Sequence, residues 1–413
     1  MNVLFINIKE LIQVREKSID FLSGKEMNFL PTLKNAFLLV ENGFISDFGL
    51  MKKCPELEIK KIDATDKMIL PSWCDSHTHI VYAGNREDEF VDRINGLSYK
   101  KIADNGGGIL NSAKLLKETS EEDLYKQSKI RLEEIIQLGT GAVEIKSGYG
   151  LTKDSEIKIL RVIKRLKQNY PIEIKATFLG AHAVPLKYKG NKSGYLQMLI
   201  DTILPEIQKE DLADFIDIFC ETGYFSVDDT QIILEAGKKY GLVGKIHVNQ
   251  FTAIGGIQAG IDNNALSVDH LEEMRTEDID ALKGTKTMPV ALPNCSYFLN
   301  IPYTPSRKMI DEGLPLALAT DYNPGSTPSG NMNFVVATAC IKMGMTPEEA
   351  INAATINGAY AMNLQDKVGT ITKGKMANLI LTKEINSYNF IPYSFGNHCI
   401  EKVFLKGSEI KKV

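Results

Sequence analysis

The chain has 413 residues, 44% of them hydrophobic and 24% charged, with a formal net charge of −4 and six histidines. That length holds one large barrel of about 200 to 250 residues with a smaller domain beside it, and the composition is that of a soluble globular protein. The acidic balance argues against a general nucleic-acid binder, whose surface is basic.

The N-terminus, MNVLFINIKELIQVR, is apolar for only a few residues before Lys9 and Glu10 interrupt it. It is therefore no secretory signal, and no run approaches the ~20 apolar residues that span a bilayer. The cysteines at 54, 74, 220, 295, 340 and 399 are scattered without a CxxC pair. They read as reduced, mostly buried thiols of a cytoplasmic protein rather than as a zinc site. Residues 36–49, AFLLVENGFISDFG, predict a hairpin whose turn is Glu41-Asn42-Gly43.

From about residue 117 to 370, short β-branched runs alternate with helical patterns, the signal for βα units and a parallel sheet. The candidate strands are the run entering His77, then GAVEIKS, IEIKATFLGAH, DFIDIFCE, GKIHVNQ, LSVDH, TMPVALPN and LPLALATD, eight in all. Between them lie amphipathic stretches such as SEEDLYKQSKIRLEEIIQLG and SEIKILRVIKRLKQNY, whose charges suit the solvated outer faces of barrel helices. Ser226 with Asp229, and Thr346 with Pro347 and Glu349, predict capped helix starts.

This pattern favours an α/β fold, a (β/α)8 barrel. An open doubly wound sheet is the alternative, but no GxGxxG follows the first strand. Residues 368–384, VGTITKGKMANLILTKE, and the C-terminal KVFLKGSEIKKV are again strand-like with glycine turns. The expected organisation is a barrel over 66–366 and a small β-sandwich domain built from both termini, 1–65 and 367–413.

The chemistry gathers first in PSWCDSHTHIVYAGNRE. In a strand, His77 and His79 project to the same face, and at the C-terminal end of a barrel strand that face opens on the active-site mouth. A lone HxH more often marks two hydrogen-bonded polar residues. Here His247 in KIHVNQ, His270 in SVDHL and Asp321 in LALATDYNPG sit at the ends of later candidate strands, the fifth, sixth and eighth. Four of six histidines at strand ends, with an aspartate after the last strand, point to a metal. Three nitrogen ligands and a carboxylate suit Zn²⁺ or iron and leave room for a water.

The same order resembles the amidohydrolase superfamily: HxH on the first strand, His on the fifth, His on the sixth and Asp on the eighth. Within it, HTHIVYAGNREDEF, INGLSYKKIADNGGGI, EIKSGYGL, TFLGAHAVP, FCETGYF, HVNQF, VDHLEE, LPNCSYFL and TDYNPGS resemble the imidazolonepropionases over most of residues 63–380. The resemblance implies hydrolytic ring opening of 4-imidazolone-5-propanoate to N-formimidoyl-L-glutamate in histidine degradation. It also implies one divalent metal per subunit, Zn²⁺ or iron (Fe²⁺ or Fe³⁺), a cytoplasmic enzyme, and a homodimer by family analogy.

The resemblance implies roles as well. His77, His79, His247 and Asp321 would hold the metal. His270 would polarise the substrate carbonyl, and Asp321 would also move a proton from water to the leaving nitrogen. Arg86 would bind the propionate through its planar fork, and without the family it would read as a surface salt-bridge residue. Tyr149, His182, Gln250, Asn323, Gly325 and Ser326 would contact the substrate. Two departures stand out: Gln250 where some relatives carry Glu, and Asn378 where Asp is usual. Binuclear relatives use a bridging carboxylate, often a carboxylated lysine, at the end of the fourth strand. FCETGYF has Glu221 there, read as a supporting or structural carboxylate, Lys146 and Lys175 fall on earlier strands, and the resemblance implies a single metal. The rival readings are a heterocycle aminohydrolase releasing ammonia, and an inactive barrel used as a binding protein.

Overall fold

The computed structural model describes residues 2–97, 101 and 107–411. Its sixteen strands form two separate eight-stranded sheets. The terminal sheet contains β1 (Val3–Ile12), β2 (Thr32–Glu41), β3 (Phe44–Leu50), β4 (Lys60–Asp63), β5 (Met68–Pro71), β14 (Leu379–Thr382), β15 (Ile400–Leu405) and β16 (Ser408–Glu409). The barrel contains β6 (Trp73–Thr78), β7 (Thr140–Lys146), β8 (Glu173–Ala181), β9 (Phe215–Cys220), β10 (Val243–Val248), β11 (Ser267–His270), β12 (Met288–Ala291) and β13 (Ala317–Leu318).

Each barrel strand pairs in parallel with the next in sequence order, from β6 to β13. These are the eight runs expected. Every residue of β6, β7 and β9 is buried, because parallel strands wrapped by helices are covered on both faces. The first and last strands close on each other just past their ends. Asp321 N donates to His77 O at 2.9 Å and His79 N to Tyr322 O at 2.8 Å.

The covering helices begin at capped residues, two of them the predicted starts at Ser226 and Thr346. Ser120 accepts from Asp123 N ahead of Glu121–Gln137, and Thr152 accepts from Ser155 N ahead of Lys153–Asn169. Ser226 with Asp229 and Thr346 with Glu349 form reciprocal capping boxes, each satisfying two otherwise unpaired amides. The helix after Thr346 is not uniform. Its α-turns give way to wider π-turns over Ala353–Asn357, where Gly358 packs so closely that a Cβ there would overlap the carbonyl of Cys74.

The terminal sheet runs β16-β15-β14-β5-β1-β2-β3, with β4 also pairing β1. Its hairpin turns at Asn42 and Gly43, both with positive φ (53° and 87°), the conformation a tight two-residue turn requires. β1 and β15 are separated by two strands in the sheet order. Even so, Phe5 and Phe404 meet edge to face with ring centroids 5.0 Å apart. The sheet therefore curls over its own apolar core, which includes Val3, Ile8, Leu38 and Leu379. β5 pairs with β1 and β14, so the terminal sheet reaches Pro71, and Ser72 alone separates it from β6.

All six cysteines are free. Among the described residues no helix is long and apolar enough to cross a membrane. Asn378 explains its own identity: Nδ2 donates to Gly141 O at 2.9 Å while Oδ1 accepts from Lys406 N at 2.9 Å. A carboxylate would serve only the second bond.

Candidate metal centre and active site

At the C-terminal mouth of the barrel, β6 delivers His77 and His79, β10 delivers His247, and the chain leaving β13 delivers Asp321. His77 Nε2 and His79 Nε2 are 3.3 Å apart, and His247 Nε2 lies 3.4 Å from His79 Nε2. Asp321 Oδ1 stands 3.5 Å from His77 Nε2 and 3.7 Å from His79 Nε2. Ligands ~2.1 Å from one cation in tetrahedral array sit about 3.4 Å apart, so the spacing fits a first-row metal.

The far sides of His77 and His79 are hydrogen-bonded, and that of His247 lies against a carboxylate without hydrogen-bond alignment. His77 Nδ1 is 2.7 Å from Asp269 Oδ2, His247 Nδ1 is 3.0 Å from Asp217 Oδ2, and His79 Nδ1 is 3.4 Å from Ser147 O. A proton held on Nδ1 leaves the Nε2 lone pair free to face the centre, as metal-binding histidines require. Burial first, then neighbouring cations and rings, holds His77 and His79 well below the ordinary histidine range, so both stay neutral.

The bracing carboxylates belong to a buried charge network beneath the cluster. Lys146 Nζ contacts Glu144 Oε1 at 2.6 Å, Asp217 Oδ2 at 2.8 Å and Asp269 Oδ2 at 3.4 Å. Lys245 Nζ pairs with Glu144 Oε2 and donates to Ala361 O at 3.0 Å. Ionised groups this deep persist only when paired, which three carboxylates between two ammonium groups achieve. Asp75 sits apart, accepting from Thr320 N and Oγ1 at 3.0 and 2.7 Å, and burial pushes it up to about 7.

His270 and Asp321 both hold left-handed backbone, φ 89° and 58°. Such strain in a non-glycine residue concentrates at functional sites. His270 Nδ1 stands 3.4 Å from Glu272 Oε1. Burial alone would lower the imidazole, but Glu272, Asp321 and Asp269 outweigh it and hold His270 above its usual value.

A cavity opens over the cluster. It is lined by eleven of the twelve residues singled out in the sequence: His79, Arg86, Tyr149, His182, His247, Gln250, His270, Asp321, Asn323, Gly325 and Ser326. His77 lies beneath, fully buried. His182 stacks on His79 with centroids 5.6 Å apart, and burial lowers it to about 3. Arg86 is clamped by Glu89, Nε to Oε2 at 2.8 Å, and Glu89 Oε1 also accepts from Gly108 N at 2.9 Å. A Cβ on Gly325 would overlap Arg86 Nη1, so only glycine leaves the guanidinium in this position.

Asn323 is occupied by its own turn. Oδ1 accepts from Gly325 N and Ser326 N at 2.8 Å each, and Nδ2 donates to Asp321 O and Ser326 Oγ at 2.7 Å each. Ser326 Oγ in turn donates to Asp321 Oδ2 at 3.1 Å. Glu221 accepts from Phe251 N, Thr252 N and Thr222 N at 2.7 to 3.1 Å, which holds the loop after His247. Gln250 Nε2 approaches Cys295 Sγ at 3.4 Å. In the glycine run 106–108, Gly106 lies outside the described residues, and Ile109 just beyond it lines the cavity.

Sequence reasoning did not single out Asp217, Asp269, Glu272, Cys295 or the cavity residues Phe219 and Tyr224. Asp217 and Asp269 carry one usable signal. Asp217 interrupts an otherwise apolar buried strand, and Asp269 sits in a short buried one, where an unpaired carboxylate would be costly.

Residues 68–410 match the model of the amidohydrolase family. An imidazolonepropionase of Flavobacterium johnsoniae is 67% identical over 411 residues, 99% of this chain and 100% of that protein. An imidazolonepropionase of Christiangramia forsetii is 64% identical with the same coverage. Among solved structures, a guanine deaminase from C. acetobutylicum superposes with a TM-score of 0.71 at 18% identity over the full length of both chains, a likeness of fold.

Proposed function

The chain belongs to the amidohydrolase family and, within it, to the imidazolonepropionases, and from that premise we propose that it hydrolyses 4-imidazolone-5-propanoate to N-formimidoyl-L-glutamate in histidine degradation. The family is metal-dependent. His77, His79, His247 and Asp321 would hold a single divalent cation, zinc or iron, and three buried imidazoles, two of them braced, with one carboxylate fit it. When bound, such a cation makes water nucleophilic near neutral pH and draws electrons from a carbonyl oxygen.

The chain's own groups do the rest. Arg86, at the cavity rim, takes the propionate by charge-assisted hydrogen bonds. Tyr149 and His182 bound the space left for a flat ring, and Gln250 offers an amide to its edge. Asp321 accepts a proton from the attacking water. As the bond between carbonyl carbon and ring nitrogen breaks, that proton passes to the nitrogen, which becomes the formimidoyl nitrogen. The carbonyl carbon, having gained the water oxygen, becomes the new carboxylate. His270, held above its ordinary value and beside Asp321, donates to the oxyanion of the tetrahedral intermediate. Gln250 cannot act as a base, which leaves Asp321 as the proton carrier of this route.

The observation that carries this reading is one small cavity with a histidine–aspartate cluster at its floor and an arginine at its rim. Its occupant is a small anion carrying a hydrolysable polar bond. The relatives supply the identity of the ring. Incubating purified, metal-containing protein with freshly made 4-imidazolone-5-propanoate should yield formimidoylglutamate and no ammonia. Inertness toward this compound, with ammonia released from another heterocycle, would overturn the reading in favour of an aminohydrolase.

A further inference from the structure

We propose that His270, Glu272 and Cys295 form a second, inhibitory site for a thiophilic divalent cation such as Zn²⁺, adjoining the cluster that would hold the catalytic metal, since His270 also has a ring nitrogen within 4.8 Å of His77 and Asp321. One ligand atom from each residue lies within 4.8 Å of the others. All three are buried, at 2%, 4% and 0% exposure. A point equidistant from three atoms spaced at that limit is about 2.8 Å from each, so movements of under about 1 Å reach zinc–ligand distances of roughly 2.0–2.3 Å.

The second observation is Glu272 itself. Its Oε2 is buried and has no hydrogen-bond partner among the described residues. Its Oε1 stands 3.4 Å from His270 Nδ1, long for a hydrogen bond. A buried carboxylate oxygen left without a donor costs stability unless something binds it. The backbone puts it there: φ of 89° at His270 and 70° at Leu271 turns the chain back, so that residue 272 lies by the imidazole two positions earlier. Cys295 enters from the start of the short helix Pro293–Leu299, and Gln250 Nε2 at 3.4 Å is a weak partner for its sulfur.

The donor set selects the ligand. Imidazole nitrogen, carboxylate oxygen and thiolate sulfur suit zinc or cadmium, whereas magnesium and calcium prefer oxygen alone. With the protons of the thiol and of the ligating His270 nitrogen released to solvent, one carboxylate and one thiolate balance a dication. A cation here would engage His270 and draw Cys295 away from Gln250. Inhibition by that route rests on the role given to His270 under the proposed function, but the binding does not.

Wild type and Cys295→Ala, each carrying its catalytic metal, would be dialysed against rising Zn²⁺ or Cd²⁺. Wild type should take up a second equivalent, show thiolate-to-cadmium charge-transfer absorption, and lose turnover in step with that uptake, while Mg²⁺ does none of this. In Cys295→Ala the band should vanish and the half-inhibiting Zn²⁺ concentration should rise at least tenfold, relative to that variant's own turnover without added Zn²⁺. Glu272→Gln, read by the cadmium band alone, gives a second check and should weaken uptake at least tenfold. Equal uptake by wild type and Cys295→Ala, or a single equivalent in wild type without the band, overturns the site. Uptake with the band but undiminished turnover keeps the site and overturns both the inhibition and the role of His270.

Discussion

His77 and Asp321 meet twice: the amide of Asp321 donates to the carbonyl oxygen of His77 at 2.9 Å, while Asp321 Oδ1 stands 3.5 Å from His77 Nε2. The seam that closes the barrel between its first and last strands is thus also the seam of the candidate metal cluster. Two candidate ligands 244 residues apart in sequence come together only when the barrel shuts.

Because that seam is held by backbone bonds, removing the metal should leave the fold standing. Treatment with a chelator is expected to abolish turnover while the far-UV circular dichroism stays unchanged and Tm falls. Restoring metal should raise Tm in proportion to the logarithm of its concentration above Kd. Unfolding on chelation would show that the cluster, not the seam, closes the barrel.

Asp321→Asn keeps the backbone link and the turn around Asn323 but loses the proton acceptor. Turnover should drop about 10²–10⁴-fold, the usual worth of a positioned acid–base group. Metal content, measured on the same preparation, separates lost proton transfer from lost binding.

Asp269→Asn tests the bracing of His77. The amide cannot accept the Nδ1 proton with the same strength and would leave Lys146 with one fewer anionic neighbour. Metal affinity should fall about 10- to 100-fold, with turnover recovering at saturating metal. Unchanged affinity by competition with a chromogenic chelator would remove Asp269 from the site's support.

Arg86→Lys replaces a planar fork by a point charge, and Gly325→Ala pushes the guanidinium aside without touching its chemistry. Both should raise KM about 10- to 100-fold with a smaller change in kcat, the loss of one charge-assisted contact of ~1.5–3 kcal/mol. A lowered kcat at unchanged KM would place Arg86 in the chemical step instead.

Lys375 supplies a pH prediction away from the site. Burial lowers its ammonium from 10.5 to about 8, although Cys74 and Asp366 oppose the shift. Between those values the unfolded chain binds more protons than the folded one, so stability should rise with pH from about 8 to 10.5. Lys375→Met should flatten that rise, whatever it does to stability at neutral pH. Urea midpoints across the window check it, and an unchanged slope would count against a depressed lysine.

Much of this architecture is legible along the chain because it rests on local rules. The eight buried runs, the capping boxes at Ser226 and Thr346 and the Asn42-Gly43 turn each follow from a few adjacent residues. So does the placing of His77 and His79 on one face, since a strand repeats every two residues. Less legible is the curl of the terminal sheet. β5 lies immediately before the barrel in sequence, yet it pairs with β14, more than three hundred residues later.

The site divides in the same way. Eleven of the twelve residues singled out line one cavity, because the candidate ligands and rim residues sit at strand ends and in the loops just after them. What supports them was not legible. Asp217 and Asp269 show only as carboxylates in buried strands, with nothing to say which histidine each faces, and Glu272 and Cys295 lie in segments whose motifs did not mark them. Asn323, expected to contact substrate, lines the cavity while its amide is engaged by the turn that carries Asp321.

The sequence by itself determined the period of each strand and helix, the caps that start them, and which strand end each reactive side chain occupies, since these depend on neighbours within a turn or two. Only the tertiary structure decided which side chains face one another across the barrel. It set Asp269 behind His77, Lys146 among three carboxylates, Gly325 under Arg86 and Cys295 beside Glu272. Those relations join residues far apart in the chain, and they exist only once the barrel has excluded water and forced every buried charge to find its partner.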